Sequence, residues 1–304
     1  MQLFLPLTAA IVYVIGALLL KRASDLGADV WRTTRIINYA TALVSLPLWL
    51  LGGTIPSPSL WWQPPVAAVL FFSGQVFTLL ALNIGDISVA TPVLGLKILL
   101  VALLSVVLTG DPIGARLWTA AGLSSIAIAL LNIDRGHRHA SVGRTIFLAA
   151  LGAASYACFD VIMQKWSFAW GGAGRIVPLA MVSGAIYSIP LRRFDRATAR
   201  MRPARDEGQV GRSRRYTPWL IAGASSFAVQ GLMFITSITL YKQATVANVL
   251  YSSRGLWSVV GVWAIGHWFS NREQHLGARV LVWRLVGAVL LLAAIVLVLM
   301  DRGR

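Results

Sequence analysis

The sequence predicts an all-α integral membrane protein with ten transmembrane helices arranged as two inverted five-helix repeats. Three observations carry this reading. Hydrophobic residues make up 57% of the chain and charged residues 12%, with a mean hydropathy of +0.71, whereas a soluble domain carries about 25% charge. The apolar residues fall in runs near the ~20 residues that a helix needs to cross a bilayer, without the alternation of a barrel strand. Finally, Val89-Ala90-Thr91 to Lys97 aligns without a gap against Val246-Ala247-Asn248 to Arg254, so two distant spans carry a cation at the same internal position.

The spans follow in order as 3–20, 34–52, 65–83, 87–109, 117–133, 145–165, 175–191, 217–240, 245–268 and 281–300. The first ends in Lys21-Arg22 rather than a small-residue cleavage site, so it is expected to be retained as a helix. Pro56 and Pro58 close the second, and Gly85-Asp86 separates the third from the fourth. Gly110-Asp111-Pro112 ends the fourth, whose Pro92 lies one turn inside and is expected to bend it. The fifth and tenth are both preceded by Gly-Ala-Arg, at 114–116 and 277–279, and both end at an aspartate, Asp134 and Asp301. Tyr13 to Ser24 in the first parallels Tyr156 to Ser167 in the sixth. The chain therefore divides into a first repeat over 1–134, a polar linker over 135–144, and a second repeat over 145–301 that contains an Arg-rich loop at 192–216. An odd number of helices per repeat gives the two copies opposite orientation, the ground plan of carriers whose site lies near the midplane.

Ten spans in two halves, the Gly-Asp-Ile-Ser-Val-Ala-Thr-Pro stretch at 85–92 and the Lys21-Arg22-Ala23-Ser24 end of the first helix resemble the EamA type of the drug/metabolite transporter superfamily. The resemblance covers essentially the whole chain and implies a ten-helix fold with carrier activity. Val14-Ile15-Gly16 and Lys21 are also similar to the first helix of the small multidrug resistance proteins, but Tyr13 stands where that group has a carboxylate. A phenol with a pKa of about 10 cannot cycle a proton at neutral pH, so proton-coupled cation antiport is not expected. Tyr13 and Tyr156 are expected to face the cavity as a pair.

Well inside the spans stand three charges, Lys97, Asp160 and Arg254. A charge at that depth costs about 2.5–3.5 kcal/mol on insertion scales and is normally kept for a task. On one reading Lys97 and Arg254 hold an anionic substrate group while Asp160 takes a proton. On the other, Asp160 neutralises one cation and pins the bundle. Either way one cation is left over, to be met by a substrate anion or by backbone carbonyls. Asn38, Gln75, Thr91, Gln164, Gln230, Asn248, Tyr251 and Ser253 are the polar residues expected to line the rest of the pathway.

Trp49, Trp61, Trp62, Trp118, Trp166, Trp170, Trp219 and Trp268 fall near span ends and read as interfacial anchors, while Trp257 and Trp263 lie deeper. The loops after spans one, three, five, seven and nine, with the adjoining helix ends, hold 19 Lys and Arg against 6 in the termini and remaining loops, which places the termini outside and the Arg-rich loop in the cytoplasm. The resemblance implies cytoplasmic termini instead. Cys158 is the one cysteine, so no intramolecular disulfide can form. No phosphate loop, His-Glu-x-x-His or Cys/His cluster is present, so no enzyme activity, cofactor or metal is expected.

The function expected is secondary transport, without ATP, of a small polar metabolite, with an anion favoured by the two cations, export as the direction and protons as the candidate coupling ion. The alternatives are a flippase for a lipid-linked anion and a non-transporting scaffold or sensor. The partners are the lipid bilayer of the cytoplasmic membrane and a small-molecule substrate, with no nucleic acid despite a pI near 11.3. The chain would act as a monomer or a homodimer.

Overall fold

The computed structural model describes residues 3–84, 90, 93–110, 112–131, 142–194, 209–258 and 278–302, and among these there is no strand. The helices are α1 Phe4–Asp25, α2 Val30–Ser45, α3 Gln63–Ile84, α4 Lys97–Leu104, α5 Ala115–Leu131, α6 Val142–Trp166, α7 Ala173–Tyr187, α8 Gln209–Tyr241, α9 Ala244–Tyr251 and α10 Ala278–Arg302. One lies in each of the ten apolar segments. Among the described residues, six helical stretches are long and apolar enough to cross a membrane: Phe4–Asp25, Val30–Leu51, Pro58–Leu82, Val142–Trp166, Ala173–Phe194 and Arg215–Tyr241. Val93–Thr109, Ala115–Leu131 and Leu285–Met300 are shorter apolar helices.

Local chemistry sets the boundaries. α1 stops at Gly27, whose φ of 98° lets the Ala28 N–H turn back onto the Ala23 carbonyl at 2.9 Å. Asp29 then caps α2 by accepting from the Trp31 N–H at 3.0 Å. α2 tightens into a 3-10 helix over Leu46–Leu51, which contains Pro47, so the second span is only partly α-helical. α3 carries Pro64 and Pro65 in its first turn, where their missing N–H groups are no loss. α8 begins at Gln209, inside the stretch that the sequence reads as the Arg-rich loop.

The fourth and ninth segments are interrupted at their cations. Residues 93–95 are helical, Leu96 is a turn, and Lys97 begins α4, which ends in a π-helical turn over Ser105–Thr109. α9 ends at Tyr251, Ser252 and Ser253 form a turn, and Arg254 opens the helical stretch 254–258. At both places the bond pattern shortens to i−3, from Leu96 N–H to Val93 O at 3.1 Å and from Ser253 N–H to Leu250 O at 3.1 Å. Pro92 and the remainder of the ninth segment, with Trp263 and Trp268, lie outside the described residues.

α1 packs along α8 and α3 along α6, with α2 against α8, α3 against α7, and α5 against α10. α2 also meets α7; α4 meets α5, α6 and α9; and α9 meets α1 and α10. The α1–α8 crossing is close because glycines face it. A Cβ placed at Gly16 would lie 2.7 Å from the Phe227 ring, and one at Gly223 2.7 Å from Leu20. Polarity is arranged inside out relative to a soluble bundle. Leu50, Phe4, Leu43 and Val107 are exposed, whereas Asn38, Asp160, Gln164, Gln230 and Asn248 are buried. That is the distribution expected when lipid, not water, surrounds the bundle.

Candidate functional site

A cavity of about 420 Å³ lies among α1, α2, α3, α6, α7, α8 and the two interrupted segments. Its walls reach Leu82 near the end of α3, Thr34 near the start of α2 and Ile128 near the end of α5. In the other direction they stop at Phe71, Met181 and Ile235, well short of the opposite helix ends. The cavity therefore extends toward the end of the bundle that carries the connections after α1, α3, α5 and α7.

Eight of the thirteen residues singled out from the sequence line it: Tyr13, Gln75, Lys97, Tyr156, Asp160, Gln230, Tyr251 and Arg254. Its charged walls, among the described residues, are Lys97, Arg254 and Asp160. Lys97 Nζ lies 2.7 Å from Asp160 Oδ2, and the same oxygen accepts from Asn248 Nδ2 at 2.8 Å. Asp160 is thus held from α4 and α9 at once, with its side chain 2% exposed. The ammonium also stands over Tyr156 at 5.5 Å and Phe234 at 5.2 Å.

Of the three charges well inside the spans, Arg254 is the cation left without a carboxylate partner among the described residues. The guanidinium lies over the rings of Tyr13 at 4.9 Å and Tyr251 at 4.6 Å. Among the described residues, aromatic faces meet its charge. Tyr251 is fixed in turn by donating its phenol to Gln230 Oε1 at 2.6 Å, and it meets Tyr13 edge-on with centroids 6.1 Å apart.

Four polar residues expected to line the pathway sit behind it. Asn38 donates to Gln75 Oε1 at 3.0 Å and so orients a residue of the wall. Asn248 does the same for Asp160. Gln164 accepts from the Ala244 N–H at 2.7 Å, tying α6 to the first turn of α9. Ser253 is buried with its hydroxyl unpartnered among the described residues, in the turn before Arg254. Thr91 lies outside the described residues.

Toward the end of the bundle away from the cavity lie further layers of contacts. Beyond Asp160–Asn248 and Gln164–Ala244 comes Ser167, whose hydroxyl accepts from Lys242 Nζ. Lys242 also lies over the Phe168 ring at 4.3 Å. It occupies the left-handed region at φ 56°, a conformation normally left to glycine after a helix end. Partial burial lowers its ammonium to a pKa of about 8. Farther out, Trp170 is 1% exposed and donates its indole N–H to Gln63 Oε1 at 2.8 Å. Trp170 is therefore buried and not exposed as the interfacial anchor expected from its position, just before the positive-φ glycines Gly171 and Gly172. Trp49, Trp61 and Trp62 are exposed as anchors would be, and so is Trp257, which does not line the cavity.

Sequence reasoning missed Lys242, which counts there only as a loop charge, and the apolar walls formed by Phe71, Phe159, Phe227 and Phe234. An aromatic in an apolar span gives no signal of which way it faces. A lysine immediately after a long apolar run, where a glycine would end the helix, is a signal that could have been read.

No curated protein matches the chain. A solved structure titled only "Crystal structure of protein" is similar in fold with a TM-score of 0.70 at 13% identity, over 98% of this chain and 97% of that one. The model of the EamA-like transporter family matches residues 1–133, which contain Tyr13, Asn38, Gln75 and Lys97. Over these residues the chain is similar to the EamA-like transporter family, which lies within the drug/metabolite transporter superfamily.

Proposed function

We propose that this multi-pass membrane transporter is a secondary carrier of ten spans. It moves a small polar, anionic metabolite by alternating access between two inverted five-helix repeats, and Arg254 is the group that meets the anion. The observation that carries the reading is the pair of exchanged contacts between cations and phenols. A repeat that takes Tyr13 to Tyr156 and Lys97 to Arg254 turns the Tyr13–Arg254 contact, at 4.9 Å, into the Tyr156–Lys97 contact, at 5.5 Å. Each half thus offers a phenol to the other half's cation.

The helix packing supports the same relation. Under it α1–α8 maps onto α6–α3, α2–α8 onto α7–α3, and α9–α1 onto α4–α6, while α5–α10, α2–α7 and α4–α9 map onto themselves. Backbone interruptions beside a midplane cation are the usual construction of carrier sites. The positive-inside rule puts the Arg-rich end in the cytoplasm, and the cavity extends toward that end. This is then the inward-facing state of a cytoplasmic-membrane exporter, loading from the cell interior.

Flux into or out of liposomes tests the carrier. Purified protein should exchange small anionic metabolites across the bilayer, and Arg254→Met should abolish that exchange with the protein still folded. Unchanged flux in Arg254→Met would remove Arg254 from the pathway. No flux of any anion by the native chain would sink the reading as a whole.

A further inference from the structure

We propose, on the basis of the carrier reading, that the cavity is built for one net negative charge: it takes a small monoanion with an apolar body without a proton, and a dianion only together with one proton on Asp160. Among the described residues the charged groups of the wall are two cations and one carboxylate, which together give the empty cavity one positive charge. A charge removed from water without compensation is strongly penalised, so an occupant is favoured when it brings the enclosed charge to zero. One carboxylate does so. It needs no rearrangement either, because Asp160 keeps its ion pair with Lys97 and its hydrogen bond from Asn248.

Where that carboxylate goes is set by the cage around Arg254. The rings of Tyr13 and Tyr251 hold the guanidinium in the empty state with no carboxylate bonded to it among the described residues. An anion can therefore be added to this cation, whereas at Lys97 it must compete with Asp160. The wall also presents Phe71, Phe159, Phe227 and Phe234, which suit an apolar or aromatic body, beside the polar Gln75, Gln230 and Thr78.

A dianion leaves the cavity one negative charge in excess. The titratable groups that line the cavity with Asp160, among the described residues, are Lys97 from α4, Arg254 and Tyr251 from the ninth segment, Tyr13 from α1 and Tyr156 from α6 itself. Among the described residues, the walls contributed by α2, α3, α7 and α8 hold no titratable side chain. Phenols and cations at neutral pH have no vacant place for a further proton, so Asp160 is the acceptor. The second carboxylate of the ligand draws Lys97 toward itself, and the abandoned Asp160 takes a proton from water.

Calorimetry on the purified chain tests this with two anions of the same body, benzoate and terephthalate, between pH 6.5 and 8 and in buffers of different ionisation enthalpy. Benzoate should bind with no proton uptake and a Kd independent of pH. Terephthalate should bind with one proton taken up per ligand, and its Kd should weaken about tenfold per pH unit. Arg254→Met should weaken benzoate at least tenfold, and Arg254→Lys should restore most of that loss. In Asp160→Asn, terephthalate should bind without proton uptake. Terephthalate that binds the native chain proton-free, or benzoate that binds with a proton, overturns the proposal, as does the absence of binding by both. Because these are binding measurements, they separate the two readings. The charge rule can hold in a chain that shows no flux, and flux can be found where the rule fails.

Discussion

The guanidinium of Arg254 and the ring of Tyr13 meet at 4.9 Å although 241 positions separate them in the chain. The contact joins the first helix to the interrupted ninth segment. Its strength comes from the ring face and not from the phenol oxygen, so Tyr13→Phe should leave thermal stability in detergent nearly unchanged. Tyr13→Leu should lower it by about 1–2 kcal/mol, the value of a desolvated cation–π contact. Equal effects of the two substitutions would mean that Tyr13 matters through its hydroxyl or its volume.

The ion pair between Lys97 and Asp160 settles which cation the buried carboxylate neutralises. Breaking it from one side strands a charge, so Asp160→Asn and Lys97→Met should each destabilise the protein by about 3–5 kcal/mol. The double variant Lys97→Met/Asp160→Asn should recover most of that loss, and Arg254→Met/Asp160→Asn should not. Chemical denaturation or thermal melting of the four variants measures the coupling. Additive losses in the Lys97/Asp160 pair would show that the two side chains act independently.

Tyr13, Lys97, Tyr156, Asp160 and Arg254 were legible in the sequence because a polar group is conspicuous in an apolar span and the parallel between the halves picked the same positions twice. Their pairing was not. Nothing in a one-dimensional pattern says that Asp160 chooses Lys97, 63 positions away, over Arg254, because that choice depends on how α4 and α6 cross. The aromatic cage escaped for the same reason, since Tyr13 and Tyr251 were each expected along the pathway but nothing in the sequence says that both rings meet on Arg254. Trp170 was misplaced because its distance along the chain from a span end says nothing of its burial in the folded bundle.

The α1–α8 crossing should be intolerant of even one methyl group at Gly223. A Cβ there would stand 2.8 Å from Leu20 Cγ and 3.0 Å from the Leu20 backbone nitrogen, so the helices must separate. Gly223→Ala should cost about 1–3 kcal/mol, the usual range for overpacking. At Gly184 in α7 a Cβ meets nothing within 4 Å, and Gly184→Ala should be neutral or stabilising by up to about 1 kcal/mol. Thermal melting of the two variants side by side makes the comparison.

Lys242 should make stability depend on pH in a definite direction. Its ammonium is lowered from 10.5 to about 8 in the folded chain, so between those values the unfolded chain binds more protons than the folded one. Stability therefore rises with pH through this window, and the destabilising contribution is fully present below about 8. The melting temperature of the native chain minus that of Lys242→Gln should increase from pH 7.5 to pH 10. A difference that is flat or falls with pH would mean that the bond to Ser167 and the Phe168 ring hold the ammonium charged.

The orientation of the cavity depends on the side to which the connection after α7 belongs. Arg193 is exposed at that connection, beside Arg192, at the same end as the cavity's extension. In a Cys158→Ser background, Arg193→Cys should resist an impermeant maleimide added to intact cells and react after lysis, as the excess of 19 basic residues against 6 requires for a cytoplasmic end. Labelling of intact cells would put the Arg-rich end outside. The described conformation would then be outward-facing, and the substrate would enter this cavity from the external medium.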